Sequence, residues 1–215
     1  LVDGGPDTSV LRGLGKTLPF FDRSIHAVVA THPDQDHIAG LVHVFDRYDV
    51  GAYIEPGVEN DTPVSRALAQ AVTHEGLTST VARRGMRLVL GGGAYADVLF
   101  PDRDVSGVET NTGSIVMHIV YGDTSFMLTG DSPQSIEKYL VSLDPDCAKS
   151  AHCTTEADVL KARHHGSKTS SSEEFVRAVS PQYVVYSRGC DNRYGHPAPE
   201  VIALFKKLSI PTLDT

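Results

Sequence analysis

No stretch of this 215-residue chain approaches the ~18 consecutive apolar residues that a membrane-spanning helix requires, so no such helix is expected within it. Basic residues are in the minority. Nineteen Lys and Arg against 27 Asp and Glu give a net charge of −8, which excludes a bulk polycation that coats nucleic acid. A complete phosphate-binding loop is missing: Gly13-Leu14-Gly15-Lys16-Thr17 has the right ending, but Val10 stands where the motif needs its first Gly. Neither a Gly-x-Ser-x-Gly elbow nor a His-Glu-x-x-His helix occurs. Cysteine is scarce, with three in all. Cys190 stands alone. Cys147 and Cys153 flank a short polar loop, where they read either as inert thiols or, in an oxidising compartment, as a small disulfide ring. There is no initiator Met and no signal peptide, and Leu1–Pro6 reads as the end of a strand, so a fragment of a longer chain is expected.

What is present points to a folded enzyme-like domain. Hydrophobic residues make up 40% of the chain and Gly contributes 19 more positions, the balance of a globular protein. The length suits one domain over residues 1–215 with a sizeable core. Charge is uneven: residues 160–215 carry 8 Lys and Arg against 5 acids, and the remainder 11 against 22. An anion can be met by the C-terminal quarter.

Short β-branched runs alternate with helical patterns. Strands are expected at 25–30, 52–55, 86–90, 96–100, 114–121, 125–128, 158–162 and 182–186. Helices are expected at 9–18, 36–47, 63–74, 133–143, 172–179 and 199–208, several with start signals such as Thr62 before Pro63. Gly122-Asp123-Thr124 suits a hairpin. An antiparallel middle with helical flanks predicts an α+β arrangement of helix-covered sheets, not a doubly wound parallel sheet. Residues 144–156 read as a surface insertion.

Four polar clusters follow apolar runs and precede helices. The densest is Thr31-His32-Pro33-Asp34-Gln35-Asp36-His37, with four potential metal ligands in six residues; Asp36 is expected to open the helix. Leu128-Thr129-Gly130-Asp131 ends another run and, taken alone, reads as a helix cap. Lys161-Ala162-Arg163-His164-His165-Gly166-Ser167-Lys168-Thr169-Ser170 offers imidazoles for a metal, and hydroxyls with a helix start for an anion. Asn192-Arg193-Tyr194-Gly195-His196-Pro197 offers phosphate and base contacts. Strand ends sharing one rim would make Asp and His ligands for two metals the economical account.

These residues resemble the metallo-β-lactamase superfamily through His32-x-Asp34-x-Asp36-His37, Thr129-Gly130-Asp131 and His164-His165-Gly166-Ser167. More narrowly, together with Leu1-Val2-Asp3-Gly4-Gly5-Pro6 and Asn192-x-Tyr194-Gly195-His196-Pro197, they are similar to the C-terminal domain of ComEC proteins, the channels of bacterial DNA uptake. The resemblance implies a four-layer αββα sandwich and a metal-dependent nuclease that degrades the non-imported strand. It implies DNA, as single strand, for substrate, and a place on the extracytoplasmic face within a longer membrane protein, with no membrane insertion by this segment itself. Two divalent ions are implied. Asp36, His37 and one of His164 and His165, leaning to His165, would hold one; His32 and Asp34 would hold the other; Asp131 would bridge. Asp36, His164 and His196 are the implied catalytic groups. Lys161, Ser167, Thr169, Ser170, Asn192, Tyr194 and His196 would handle substrate, and Lys161, Arg163, Lys168, Arg188 and Arg193 would supply positive field.

Two departures from the superfamily pattern stand out. Asp34 replaces a His of the usual His-x-His-x-Asp-His motif, and Glu109–Ser114 lacks the usual third-motif His. These departures leave the His32–Asp34 site with one imidazole and otherwise oxygen donors, which favours Mn²⁺ over Zn²⁺ there. The rival readings are another hydrolase on the same fold, acting on a phosphocholine, thioester, lactone or lactam, and a metal-poor DNA-binding module.

Overall fold

The computed structural model describes residues 1–143, 155–169, 171–189 and 195–215. They form two compact units, residues 1–83 with 103–115, and residues 84–102 with 116–215. The expected Cys147–Cys153 ring, and Cys190, lie outside the described residues.

The first unit holds helices α1 (Ser9–Thr17), α2 (Gln35–Phe45) and α3 (Pro63–His74). Its strands are β1 (Ser24–Ile25), β2 (Val28–Val29), β3 (Asp49–Val50), β4 (Tyr53–Glu55) and β5 (Thr80–Val81). β1 pairs with β3, and β2-β4-β5 form a second parallel sheet. The strand expected over 25–30 is therefore two short ladders, interrupted where Gly51 packs against the His26 carbonyl. Thr62 caps α3 by accepting from the Ser65 amide, and Pro63 takes the first turn, where its missing N–H is no loss. On α2, Ile38, Leu41, Val44 and Phe45 are buried at helical spacing against Leu68 and Val72 of α3. Each such burial is worth about 1.5–3 kcal/mol. The phosphate-loop look-alike, Gly13–Thr17, lies within α1, which has no buried residue.

One contact in this unit requires glycine. The Gly4 amide donates to the His37 carbonyl at 2.7 Å, and the Gly40 amide to the Gly5 carbonyl at 2.9 Å. A Cβ on Gly40 would stand 2.0 Å from the Gly4 oxygen, and one on Gly4 would stand 2.5 Å from the Leu41 nitrogen. The N-terminal segment thus lies backbone to backbone on α2, which carries Asp3 to the start of that helix.

The second unit is built on a seven-stranded sheet in the order β12-β11-β10-β9-β8-β7-β6. These strands are β6 (Arg87–Gly91), β7 (Ala94–Phe100), β8 (Val116–Tyr121), β9 (Thr124–Leu128), β10 (Val159–Lys161), β11 (Tyr183–Tyr186) and β12 (Thr212–Asp214). β6 to β9 are antiparallel, as the hairpin signal predicted; Gly122 has φ +59°, the positive value its turn needs. β9 to β12 are parallel. Parallel neighbours need crossovers, and α4 (Gln134–Leu143), α5 (Glu173–Val179) and α6 (Pro199–Lys207) lie in them. The consequence for function is direct. The C-terminal ends of β9, β10 and β11 fall on one edge of the sheet, and Asp131, His164-His165 and Ser187 follow those ends.

Gly40→Ala is expected to destabilise the protein by about 2–3 kcal/mol, since the clashing atoms are backbone and cannot swing aside. Denaturant unfolding followed by circular dichroism measures it, with Gly13→Ala, at an open position inside α1, as a control that should lose no stability and gain up to about 1 kcal/mol.

Candidate functional site

The candidate ligands divide between the two units. In the first, the turn after β2 carries His32, Asp34, Asp36 and His37. Asp34 occupies the position before the helix, and Asp36 and His37 lie in the first turn of α2. Asp36 is thus a first-turn residue and not the helix-opening cap the sequence suggested, because the chain enters helical geometry at Gln35. His32 and His37 are buried, their rings 4.1 Å apart between centroids. Asp36 is exposed. His32 Nε2 lies 3.7 Å from an Asp34 carboxylate oxygen, too long for a hydrogen bond and suited to two groups facing one cation.

Asp3, to which the sequence assigned no role, organises this turn. One carboxylate oxygen accepts from the Thr31 amide at 2.8 Å. The other accepts from the Thr31 hydroxyl at 2.8 Å and from His37 Nδ1 at 2.7 Å. Burial pushes the Asp3 carboxyl up, but His37 and the Thr31 amide outweigh it and hold the group below its ordinary value. An ionised Asp3 only accepts, so His37 Nδ1 carries the proton and the ring's lone pair sits on Nε2. The Thr31 hydroxyl spends its proton on Asp3, so it accepts from His32 Nδ1 at 3.1 Å. His32 is thereby set in the same tautomer. Thr31 itself is almost wholly buried. The signal for Asp3 was in the sequence, an acid between an apolar residue and two glycines, but its partner is 34 residues away.

In the second unit Asp131 is buried after β9. His165 Nε2 lies 3.7 Å and His164 Nε2 3.8 Å from one Asp131 oxygen, and Lys161 Nζ lies 3.9 Å from the other. His165 Nδ1 bonds the Ser187 carbonyl at 2.5 Å. A carbonyl only accepts, so His165 also presents its lone pair at Nε2. That favours His165 over His164 for the ligand role. His164, His165 and Gly166 all have left-handed backbone, with φ of 45°, 53° and 87°. For the two histidines this costs about 1–3 kcal/mol each, a strain that accompanies functional turns. A Cβ on Gly166 would stand 2.8 Å from Pro197 Cβ, and the Gly166 carbonyl accepts from the Ala198 amide at 2.8 Å. This close approach brings the His196 ring to 6.0 Å from that of His164. Burial, and then repulsion from His164 and His165, lowers the His196 imidazole.

The chain matches the family model of the metallo-beta-lactamase superfamily over residues 1–189. It belongs to that superfamily. It is 31% identical over 193 residues to ComE operon protein 3 of Bacillus subtilis, covering 90% of this chain and 24% of that one. It is 29% identical over 179 residues to competence protein ComA of Neisseria gonorrhoeae, covering 83% and 22%. Against recombination protein 2 of Haemophilus influenzae the identity is 27% over 183 residues, covering 84% and 20%. The chain therefore spans about a quarter or less of the length of these relatives. In fold it is similar to CmlA, a diiron β-hydroxylase from Streptomyces venezuelae, with a TM-score of 0.57, 15% identity and coverage of 93% and 45%. It is likewise similar to the metallo-β-lactamase-fold protein YhfI from Bacillus subtilis, with a TM-score of 0.54, 15% identity and coverage of 100% and 83%. The fold is thus the mixed α/β metallo-β-lactamase fold the sequence implied.

Within this superfamily member the expected positive field is thinner than the sequence suggested. Arg163 is buried and lies 3.1 Å from the buried Glu137, so its charge is spent internally. Arg188 Nε donates to Asp214 at 2.8 Å. Lys161 faces Asp131, and Lys168 is exposed. Ser167 is buried, and its hydroxyl lies 3.2 Å from that of Thr169. Ser170, Asn192, Arg193 and Tyr194 lie outside the described residues.

With His37 in the ligand role the resemblance implies, Asp3→Ala should weaken metal binding by about 10–100-fold, the usual loss for a group that orients a ligand imidazole. A Mn²⁺ titration of the purified protein followed by electron paramagnetic resonance reads it. Asp3 also sets an acid limb. Its stabilisation is complete above the unfolded-state pKa of 3.8 and is lost as the pH falls through the lower folded-state value. Below pH 4 the stability of the wild type should therefore fall more steeply than that of Asp3→Asn, as acid unfolding curves will show.

Proposed function

We propose that residues 1–215 act as one metal-dependent phosphodiesterase domain that hydrolyses DNA, degrading the non-imported strand during uptake in natural transformation. The observation that carries this reading is the donor chemistry. His32, His37 and His165 each engage Nδ1 with a protein group and present Nε2, beside Asp34, Asp36 and Asp131. Mixed imidazole and carboxylate donors with oriented rings fit divalent ions. The similarity to proteins named for competence and recombination supports DNA as the substrate class.

In this reading Asp36, His37, Asp131 and His165 hold one ion. His32 and Asp34 would hold a second, with Asp131 as a further carboxylate donor. Such ions acidify water and neutralise charge building on a phosphoryl group. The chain's own residues do the rest. Asp36, exposed in the first turn of α2, would take a proton. His164 is left to face substrate, and His196 packs beside it to orient a phosphate or donate to a leaving oxygen. Lys161 faces Asp131 and would oppose the charge of substrate, and Ser167 and Thr169 would offer hydroxyls to non-bridging oxygens; the substrate contacts proposed for Ser170, Asn192 and Tyr194 fall outside the described residues. At the His32–Asp34 site, with one imidazole and otherwise oxygen donors, Mn²⁺ would be favoured over Zn²⁺. The domain works on the extracytoplasmic face, attached to a membrane channel supplied by the rest of a longer protein. No helix among the described residues is long and apolar enough to cross a membrane. A second reading, a metal-poor module that guides DNA without cutting, draws on the absence of a His in Glu109–Ser114.

With Mn²⁺ the purified protein should cleave single-stranded oligonucleotides and bis(p-nitrophenyl) phosphate, and Asp36→Ala should lower cleavage at least 10³-fold with unchanged circular dichroism. Cleavage by Asp36→Ala at the wild-type rate overturns the assignment. Binding of DNA without cleavage in either Mn²⁺ or Zn²⁺ selects the guiding module, and turnover of lactam or thioester substrates selects another hydrolase. His196→Ala should raise KM for the phosphodiester while leaving metal content unchanged, as elemental analysis will show.

A further inference from the structure

We propose that the buried Glu137–Arg163 pair is a positioning device that sets the His164–His165 turn and the hydroxyl-rich loop after it. The inference rests on the reading of those histidines and hydroxyls as metal and substrate groups. Glu137 sits on α4, the helix that starts three residues after Asp131, and it is 1% exposed. One of its carboxylate oxygens accepts from the Ser171 amide at 3.0 Å and the other from the Ser172 amide at 2.7 Å. The first oxygen also lies 3.1 Å from Nη1 of Arg163, which is 2% exposed and directly precedes His164. One side chain thereby ties three segments: the helix after Asp131, the chain that leaves β10 at the two left-handed histidines, and Ser171–Ser172 at the entry to α5.

A buried ion pair is a poor choice for stability alone, because desolvation takes back most of the attraction; an apolar pair of similar volume is often as good. Here the carboxylate does what no apolar group can. It satisfies two loop amides, one of them at Ser171, which has a left-handed φ of 58°. The guanidinium anchors the strand end from which the histidine turn departs. That turn needs outside restraint, since its backbone is held away from favoured conformations at His164, His165 and Gly166. Within the turn the Ser167 amide donates to the His164 carbonyl at 2.8 Å, which makes that amide a reporter of its shape.

The test compares Glu137→Gln, Arg163→Met and Arg163→Lys with wild type in the full chain. Amide hydrogen exchange of the metal-free protein is read at Ser167, Ser171 and Ser172, with the core amides of Val176 and Val184 as controls. Glu137→Gln and Arg163→Met should quicken exchange at the three loop amides at least tenfold while the core amides change less than twofold. Both should raise the Mn²⁺ dissociation constant about tenfold, the size of effect expected when a ligand loses its support. Arg163→Lys, which keeps the charge, should recover most of that loss. The proposal is overturned if loop and core amides quicken together, which marks a merely structural role, or if Mn²⁺ affinity stays within twofold of wild type in both variants. Should the wild type bind no Mn²⁺, the metal reading fails while the exchange data still decide whether the pair holds the turn. If Arg163→Met does not fold, Glu137→Gln, which preserves shape and one acceptor oxygen, carries the same measurements.

Discussion

Three imidazoles in this chain are held through Nδ1, and that constraint underlies the chemistry the site can perform. A histidine has two nitrogens and, when neutral, one lone pair. Whichever nitrogen donates to the protein decides where the lone pair resides. His37 donates to Asp3, His165 to the Ser187 carbonyl, and His32 to a Thr31 hydroxyl whose own proton goes to Asp3. Each ring therefore offers Nε2. The partners are a carboxylate, a carbonyl and a hydroxyl polarised by a carboxylate, so the restraint is ionic or near-ionic in the first unit and neutral in the second. Both rings of the first unit depend on one acid, Asp3.

Position follows from topology. The parallel run from β9 to β12 places successive strand ends on one edge, and a chain leaving such an edge toward a crossover helix must turn there. At β10 that turn is made in left-handed backbone at two histidines, where glycine would be easier. The preference given up is recovered in what the turn presents, two imidazoles within 4 Å of a buried Asp131. In the first unit glycine has the opposite use. Gly4 and Gly40 let two backbones touch, and without that contact Asp3 would stand too far from His37 to bond it.

Long, periodic or capped elements were legible in the sequence. α3 begins and ends where Thr62-Pro63 and its apolar spacing predict, and the β8–β9 hairpin turns at Gly122. Short elements were not. β5 and β12 span two and three residues, all exposed, and carry no alternation to detect; they exist because a neighbouring strand offers an edge. Candidate ligands were legible because Asp and His at such density after an apolar run have few structural uses. Asp3 was not, since a lone acid beside two glycines looks like any turn until the chain folds it onto a helix 34 residues away. Arg163 misled for the complementary reason. Formal charge is visible in a sequence, but whether a buried Glu137 cancels it is a matter of packing.

That cancellation changes how an acidic chain can meet a polyanion. Of the cations near the histidine turn, Arg163 is internal and Arg188 is tied to Asp214, which leaves Lys161 and Lys168 among the described residues to act on a phosphate. Two lysines give little attraction at physiological ionic strength, where exposed charges are screened within ~8 Å. A chain of net charge −8 with so small a cationic patch gains little from long-range steering, so recognition must be local. In the proposed reading the charge that meets a phosphodiester would be largely that of bound ions, so affinity for substrate and affinity for metal would be linked. Each carboxylate added to the donor set strengthens the hold on a hard cation and weakens the field left over for the phosphate. In that reading the orientation of each ring, more than the number of basic residues, is the variable that sets function.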